Sequence, residues 1–182
     1  MDFEICRASV DDAEGVAATH VASWRAGYAG QLPDEFLASL SVETRAASWR
    51  SVLNGTRDMG GDTLVVRVER RVMGFASVGA SRDSDASEDT GELWALYTHP
   101  DVWGGGLGSA LHEAATEELR GMGFATATLW VLTSNTRARG FYQRRGWRPE
   151  GGTKTDWRGD VRLDEMRYEL LLPSPSAHAI DA

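Results

Sequence analysis

A cluster of glycines constrains the fold most, because it lies between two strongly patterned segments. Residues 104–106 are all glycine, and Gly108 follows after one residue. Glycine destabilises both helices and strands, so this cluster is costly unless the backbone needs unusual angles or a ligand approaches closely. Residues 92–98 before it are rich in large apolar side chains, and apolar residues recur at helical spacing over residues 107–122. The pattern predicts a strand, a glycine loop and a helix.

A strand followed by a glycine loop and a helix is a common phosphate-binding arrangement. Backbone N–H groups in the loop and the positive end of the helix dipole both attract anionic oxygens. Two well-known versions do not fit. A P-loop has lysine directly after its last glycine, but Ser109 follows Gly108 here. The G-x-G-x-x-G dinucleotide fingerprint fails because Leu111 stands at its third glycine.

The rest of the hydrophobic pattern predicts one α/β domain over residues 1–172, with a mixed sheet of about seven strands and four or more helices. Predicted strands cover residues 3–9, 63–79 (two strands with a turn at 69–71), 92–98, 125–132, 147–157 and 161–172. Predicted helices cover residues 11–24, 34–53 (in two pieces divided near 41), 107–122 and 134–146. Strand–helix–strand units in the second half favour parallel neighbours there, and antiparallel pairing elsewhere.

Two polar segments lie outside this pattern. Residues 81–91 are acidic, with no apolar residue larger than alanine, and predict a mobile, solvated linker rather than a cation-binding lid. Residues 173–182 predict a disordered C-terminal tail.

Composition and charge narrow the classes of function. A net charge of −8 disfavours nucleic-acid binding, and solubility explains it more simply than attraction of a cationic substrate. No apolar run reaches the ~20 residues that a membrane-spanning helix requires. The first residues lack the pattern of a secretory signal, and the single cysteine, Cys6, favours a cytoplasmic location.

The glycine loop, together with a second motif, resembles the GNAT N-acetyltransferase family. The acetyl-CoA motif of that family, Q/R-x-x-G-x-G/A, is matched by Gly106 and Gly108, with Pro100 in the approach and Trp103 at the Q/R position. About 30 residues later comes an Asn that starts a helix, then two aromatic residues, then a glycine that opens a strand. The matching residues are Asn135, Phe141, Tyr142, Gly146 and Trp147.

The resemblance implies the GNAT fold and a cytoplasmic acetyl-CoA-dependent N-acetyltransferase, in which an amine attacks the thioester directly, with no acyl-enzyme and no metal. The backbone of residues 96–98 is implied to pair with the pantetheine arm and to donate to the thioester oxygen. Trp103 and Gly105 replace polar or basic residues of the family loop, so backbone donors and arginines of the next helix would hold the phosphates. The implied cofactor-binding residues are Leu96, Tyr97, Thr98, Trp103, Gly104, Gly105, Gly106, Leu107, Gly108, Ser109, Asn135, Arg139 and Tyr142.

The resemblance also implies the catalytic residues. Tyr142 matches the family tyrosine that protonates the leaving thiolate, whereas Phe141 better fits a packing role. Glu92 is the candidate general base, because the following strand carries Trp130 where some members have an acid. His99 and His112 are alternatives, although both are expected to be surface residues, with His112 facing outward on its helix.

The acceptor is expected to be a primary amine, on a small molecule or a peptide. Trp24 and Tyr28 are implied to line its pocket, although the helical stripe that contains Trp24 is also typical of a core. Two other functions remain open, a non-catalytic acyl-CoA sensor and a transferase of longer acyl groups. Many members of the family dimerise, so the resemblance also allows a homodimer.

Overall fold

Seven strands form one mixed sheet, with α-helices on both faces, in the computed structural model, which describes residues 2–55 and 60–173. The strands are β1 (Glu4–Arg7), β2 (Asp62–Val68), β3 (Arg71–Ala80), β4 (Thr90–Thr98), β5 (Thr126–Leu132), β6 (Arg148–Arg158) and β7 (Val161–Leu171). The helices in the described residues are α1 (Ala13–Gly27), α2 (Asp34–Ser39), α3 (Val42–Gly55), α4 (Leu107–Gly121) and α5 (Thr136–Gln143). The mixed α/β fold and the order of its elements are as predicted. The predicted tail lies outside the described residues.

The sheet order is β1-β2-β3-β4-β5-β7-β6, and β4–β5 is its one parallel pair among the described strands. The expectation of parallel neighbours was right for the unit β4–α4–β5 and wrong for β5–α5–β6. Strand β7 lies between β5 and β6 and is antiparallel to both. A tight turn with Gly159 at φ 60° joins β6 to β7, so the two form a hairpin, and β7 rather than β6 pairs with β5.

Strands β4 and β5 pair over only three residues each. Their partners are Thr90 with Thr126, Gly91 with Ala127 and Glu92 with Thr128. Just beyond this point the register between β3 and β4 shifts by one residue at Trp94, which is the signature of a β-bulge. Beyond Glu92 the two strands separate and open a wedge in the middle of the sheet.

Helices cover both faces of the sheet and bury its apolar side chains. On one face, α4 packs Leu107, Leu111 and Leu119 against β-strand residues such as Leu129. On the other face, α1 and α3 pack against β2 and β3. Trp49 of α3 is part of that second core. Because α4 is packed against the sheet, its position relative to the wedge is fixed. The glycine loop that precedes α4 therefore lies at the C-terminal end of β4, where the wedge is open.

The prediction that His112 faces outward was wrong. His112 is buried on α4, and its Nε2 accepts a hydrogen bond from the indole Nε1 of Trp147 at 2.7 Å. Burial lowers the pKa of His112 from 6.5 to about 4, so the imidazole is neutral near neutral pH. Helix α4 is buried over a broader face than its aliphatic residues indicate, because Phe141 of α5 and Trp147 also pack against it.

Residues 81–91, predicted as a mobile, solvated linker, are mostly exposed but are attached to the sheet. Asp83 and Asp85 both form ion pairs with Arg167 of β7, at 3.1 and 2.7 Å. Asp83 additionally accepts from the indole Nε1 of Trp130 on β5 at 3.0 Å. These contacts anchor the segment beside the open end of the wedge. No helix among the described residues is long and apolar enough to cross a membrane.

Candidate active-site cleft

The wedge between β4 and β5 is the floor of a cleft of about 310 Å³. Residues of α1, β4, the glycine loop, β5, α5, β6 and β7 line it. Seven of the residues with a predicted cofactor role lie on this lining, as do Glu92 and both predicted acceptor residues. The seven are Leu96, Tyr97, Thr98, Trp103, Gly108, Asn135 and Tyr142, the last of which is also a predicted catalytic residue. The other predicted cofactor residues do not line it, and they are Gly104, Gly105, Gly106, Leu107, Ser109 and Arg139.

Strand β4 presents unpaired backbone groups to the wedge. The N–H of His99 donates to Met73 on β3, and backbone groups of an antiparallel strand point alternately to its two sides. The N–H and C=O groups of Leu96 and Thr98 therefore turn away from β3. Those of Tyr97 turn toward it. The Thr98 carbonyl already accepts from Ser23 Oγ at 2.8 Å, so Leu96 offers the clearest donor and acceptor to a ligand.

The glycine loop places several backbone N–H groups without partners at the end of β4. Gly104 and Gly106 adopt φ angles of 81° and 89°, which side chains other than glycine rarely tolerate. The N–H groups of Trp103, Gly105 and Ser109 are bonded to carbonyls within the loop. The remaining amides have no acceptor in the described part of the chain, and they belong to Gly104, Gly106, Leu107 and Gly108. Together with the N-terminus of α4 they form a turn of the kind to which anions can bind.

Aromatic side chains place two guanidinium groups beside this turn. Trp103 anchors the loop, because its indole Nε1 donates to the Thr98 carbonyl at 3.0 Å, and the guanidinium of Arg137 lies 3.6 Å from the Trp103 ring centroid. Arg145 lies 3.6 Å from the Phe141 ring centroid and donates to Ser109 Oγ. Trp103 thus supports the guanidinium of Arg137 beside the glycine loop.

Arg139 lies elsewhere than the predicted cofactor role requires. Its guanidinium donates to the Thr133 carbonyl at 2.9 Å and to the Tyr168 hydroxyl at 3.3 Å, and it is absent from the cleft lining. Arg137, two residues earlier on α5, lines the cleft instead. Asn135 caps α5, because its Oδ1 accepts from the N–H of Ala138 at 3.0 Å.

Tyr142 of α5 lines the cleft with its ring buried. Its hydroxyl has no hydrogen-bond partner among the described residues, and burial raises the pKa of Tyr142 above its usual value of 10. The phenol is therefore protonated at neutral pH and can donate a proton to a group entering the cleft. Phe141 packs its ring beneath Arg145.

Aromatic side chains of α1 and β4 line one side of the cleft. Trp24 belongs to a buried cluster, as its helical stripe predicts, and it also lines the cleft. Its ring meets that of Tyr28 edge-on at 5.0 Å, and the Tyr28 hydroxyl lies 3.5 Å from that of Tyr97. Burial raises the pKa of Tyr28 and of Tyr97, so both phenols stay protonated.

Glu92 is held by Arg82. The carboxylate is 3% exposed and accepts from the Arg82 backbone N–H at 2.9 Å and from its guanidinium at 2.6 Å and 3.3 Å. The three donors of Arg82 thus occupy both carboxylate oxygens of Glu92. His99 does not line the cleft, and its Nδ1 faces Asp101 at 3.3 Å.

Glu165 is a cleft carboxylate that sequence analysis missed. It lies on β7, opposite Lys154 of β6, and its Oε2 is 3.7 Å from the Lys154 Nζ. Burial raises the pKa of Glu165 above its usual 4.5, with the Lys154 charge opposing that rise. Side chains alternate along β7, so Glu165 lies on the same face as the buried Leu163, and this alternation was visible in the sequence. Which residues surround that face depends on the position of β7 beside β5, and the sequence did not reveal that position.

No group of three or more His, Cys, Asp and Glu side chains is placed to hold a metal ion within residues 2–55 and 60–173.

Comparison with known proteins identifies relatives of the whole domain. Residues 22–147 match the acetyltransferase (GNAT) family. The chain is 31% identical over 160 residues to the uncharacterized N-acetyltransferase YuaI of Bacillus subtilis (strain 168), which covers 87% of each chain. Over a shorter stretch of 62 residues it is 42% identical to the mycothiol acetyltransferase of Streptomyces coelicolor, 34% of this chain and 20% of that protein.

Solved structures show the same fold. The PaiA N-acetyltransferase of Thermoplasma acidophilum, crystallised with coenzyme A, superposes with a TM-score of 0.74 at 22% identity, covering 94% of this chain and 99% of that one. The YncA structure from Salmonella typhimurium, with its cofactor acetyl-CoA, gives a TM-score of 0.70 at 20% identity, with full coverage of both chains.

Proposed function

Since this chain belongs to the acetyltransferase (GNAT) family, we propose that it transfers an acetyl group from acetyl-CoA to a primary amine by direct attack of the amine on the thioester. The observation that carries the proposal is the combination of a split sheet with a turn of unpartnered amides at its open end. A long, thin molecule that carries a diphosphate fits both features, because its chain can lie in the split while its diphosphate contacts the amides of the turn. Two of the known structures with this fold were solved with coenzyme A or acetyl-CoA.

The chain offers a separate group for each part of acetyl-CoA. The N–H groups of Gly104 and of residues 106–108 would bind the pyrophosphate oxygens, with Arg137 and Arg145 adding positive charge. The backbone of Leu96 would pair with the pantetheine arm as an added strand, and its N–H is the donor nearest to the expected thioester oxygen. We infer no direct contact for Arg139, whose guanidinium binds within the protein.

Tyr142 serves as the general acid in this proposal. Its hydroxyl is protonated, lacks a partner in the described part of the chain, and faces the wedge where the sulfur would lie. Proton donation to the departing thiolate avoids release of a charged group into a buried site.

We assign the general base to Glu165 rather than to Glu92. The Glu92 carboxylate is held by three hydrogen bonds from Arg82, whereas Glu165 has one distant cation and a raised pKa. A higher pKa makes a carboxylate a stronger base toward an ammonium ion that must lose a proton before it can attack. Glu165 also faces the acceptor side of the cleft, close to Tyr28 and Tyr97.

The test is release of the coenzyme A thiol from acetyl-CoA with a panel of amines, amino acids, polyamines, aminoglycosides and peptides. We expect release that depends on at least one amine and yields its acetamide. Parallel runs with propionyl-CoA and butyryl-CoA determine whether a longer acyl group is preferred. Tight binding of acetyl-CoA without turnover on any amine would contradict the proposal and favour a cofactor sensor.

A further inference from the structure

Lys154 is the only lysine in the sequence, and it lines the cleft. Every other residue among the 19 Lys and Arg of the chain is arginine. A guanidinium does not lose its proton in proteins and is not an acceptor of acyl groups, whereas a lysine amine can be one. The chain therefore contains one side-chain amine, and the fold places it in the cleft where acceptor amines would bind.

Two groups lie beside the Lys154 amine. Its Nζ lies 4.1 Å from the ring centroid of Trp130 on β5 and 3.7 Å from Oε2 of Glu165 on β7. An aromatic face and a carboxylate are the two features that a protein uses to bind an ammonium group. Trp130 and Glu165 also line the cleft, so Lys154 already occupies an amine-binding position within it.

The Lys154 side chain has the freedom to move from this position. It remains 41% exposed, and a separation of 3.7 Å is longer than a charge-assisted hydrogen bond. Its four-carbon stem is flexible, so the Nζ can move by several ångströms within the wedge. Trp130 belongs to the β5 wall, and the Leu96 backbone that would hold the thioester forms the opposite wall.

We propose that Lys154 is itself an acceptor, so that the protein acetylates this side chain from its own bound acetyl-CoA. This inference rests on the proposed function. The ammonium group first releases one proton to solvent. The neutral Nζ then forms a bond to the thioester carbonyl carbon, and the bond between that carbon and sulfur breaks. Glu165 takes the second proton that Nζ loses, and the thiolate takes a proton from Tyr142. The proton on Glu165 then passes through water to the Tyr142 phenolate, which restores both residues. The products are acetyl-Lys154, free coenzyme A and one proton.

The experiment incubates the purified protein with acetyl-CoA and no added acceptor, followed by intact-mass measurement and peptide mapping. We expect one acetyl group per molecule, located at Lys154, with an equal amount of thiol released. Lys154→Arg should stay unmodified at that position. Glu165→Gln should slow the modification at least about tenfold, because the neutral amide cannot take the proton.

A second lysine outside the cleft separates enzymatic from spontaneous acetylation. Arg148 lies on the same strand as Lys154 and is exposed; their partners on β7, Glu169 and Glu165, are about 13 Å apart along that strand. In Arg148→Lys, we expect acetylation at residue 154 and none above background at residue 148. Equal modification at both positions would overturn the inference, as would an unmodified Lys154 in protein that still acetylates an added amine. A protein that neither binds acetyl-CoA nor acetylates any amine would overturn the proposed function as well.

Discussion

Burial raises the pKa of two cleft side chains with different consequences. Tyr142 has no partner for its hydroxyl in the described residues, and burial raises its pKa, so the phenol keeps its proton near neutral pH. Burial also raises the pKa of Glu165, which makes this carboxylate a better proton acceptor than an exposed one. The low polarity of the cleft thus strengthens the proposed base, whereas the proposed acid depends on the position of its unpartnered hydroxyl.

Tyr142→Phe removes the proposed acid and little else. We expect kcat to fall by about a hundredfold or more, with the affinity for coenzyme A nearly unchanged. Steady-state kinetics and calorimetric titration measure the two quantities. Tyr168→Phe is the matched control, since that hydroxyl binds Arg139 and Gln143 outside the cleft, and its kcat should stay at the parent value.

Glu165→Gln tests the proposed base through the pH profile. A protonated Glu165 cannot accept a proton, so kcat/KM should fall as the pH drops through a pKa that lies above the usual 4.5. The variant should lose most of its rate at neutral pH and should also lose this acidic limb. If the variant keeps the parent rate and the same fall of kcat/KM at acidic pH, Glu165 is not the base, and Glu92 or a water molecule takes that role.

At the scale of elements, Trp94 packs its ring on β3 at the point where β4 bulges. The ring lies against Gly61 and Gly79, and its indole Nε1 donates to the Ala80 carbonyl at 3.2 Å. A methyl group at either glycine would overlap the ring, so the absence of side chains there creates the space that Trp94 occupies. The bulged residue of β4 is thus closely confined by its neighbours on the side of β3.

Gly79→Ala should therefore destabilise the fold. Overpacking of this kind costs about 1–3 kcal/mol, because the ring or the strand must move. Urea denaturation measures the change. Gly121→Ala is the control, since a Cβ there meets nothing within 4 Å and the change should be neutral or stabilising. Equal stability of the two variants would show that the Trp94 ring does not pack closely against Gly79.

Local chemistry accounts for what the sequence could predict. The glycine loop, the cap at Asn135 and the order of strands and helices are each encoded within a few residues. The position of β7 between β5 and β6 is not, because strand pairing depends on contacts between distant segments. For the same reason, the positions of Glu165 and Lys154 in the cleft could not be predicted from the sequence, and neither could the pairing of Arg82 with Glu92. Arg139 and His112 were misplaced because helical spacing alone does not reveal which faces are covered.

At the scale of the whole molecule, two buried neutral histidines connect stability to pH. Burial lowers the pKa of His20 to about 3 and that of His112 to about 4. His20 accepts from Trp49 Nε1 at 3.1 Å within the core, and an added proton there would be poorly solvated. The unfolded chain, with histidine pKa values near 6.5, binds protons that the folded chain does not.

The free energy of unfolding should therefore be highest above pH 6.5 and should fall as the pH drops toward about 4. Each histidine contributes a slope of up to about 1.4 kcal/mol per pH unit, and the raised pKa of Glu165 opposes it in part. His112→Gln keeps an acceptor for Trp147 and should flatten the slope. The midpoints of urea denaturation, measured for both proteins across this pH range, give the two slopes. An unchanged slope in the variant would show that His112 is not the group responsible.

The central claim is that the split between β4 and β5 and the unpartnered amides of the glycine loop bind one acyl-CoA molecule. A crystal structure with coenzyme A tests it most directly. The account predicts pyrophosphate oxygens on the N–H groups of Gly104 and of residues 106–108, pantetheine paired with Leu96, and the sulfur beside the Tyr142 hydroxyl. Coenzyme A bound outside the wedge, with those amides unliganded, would contradict it.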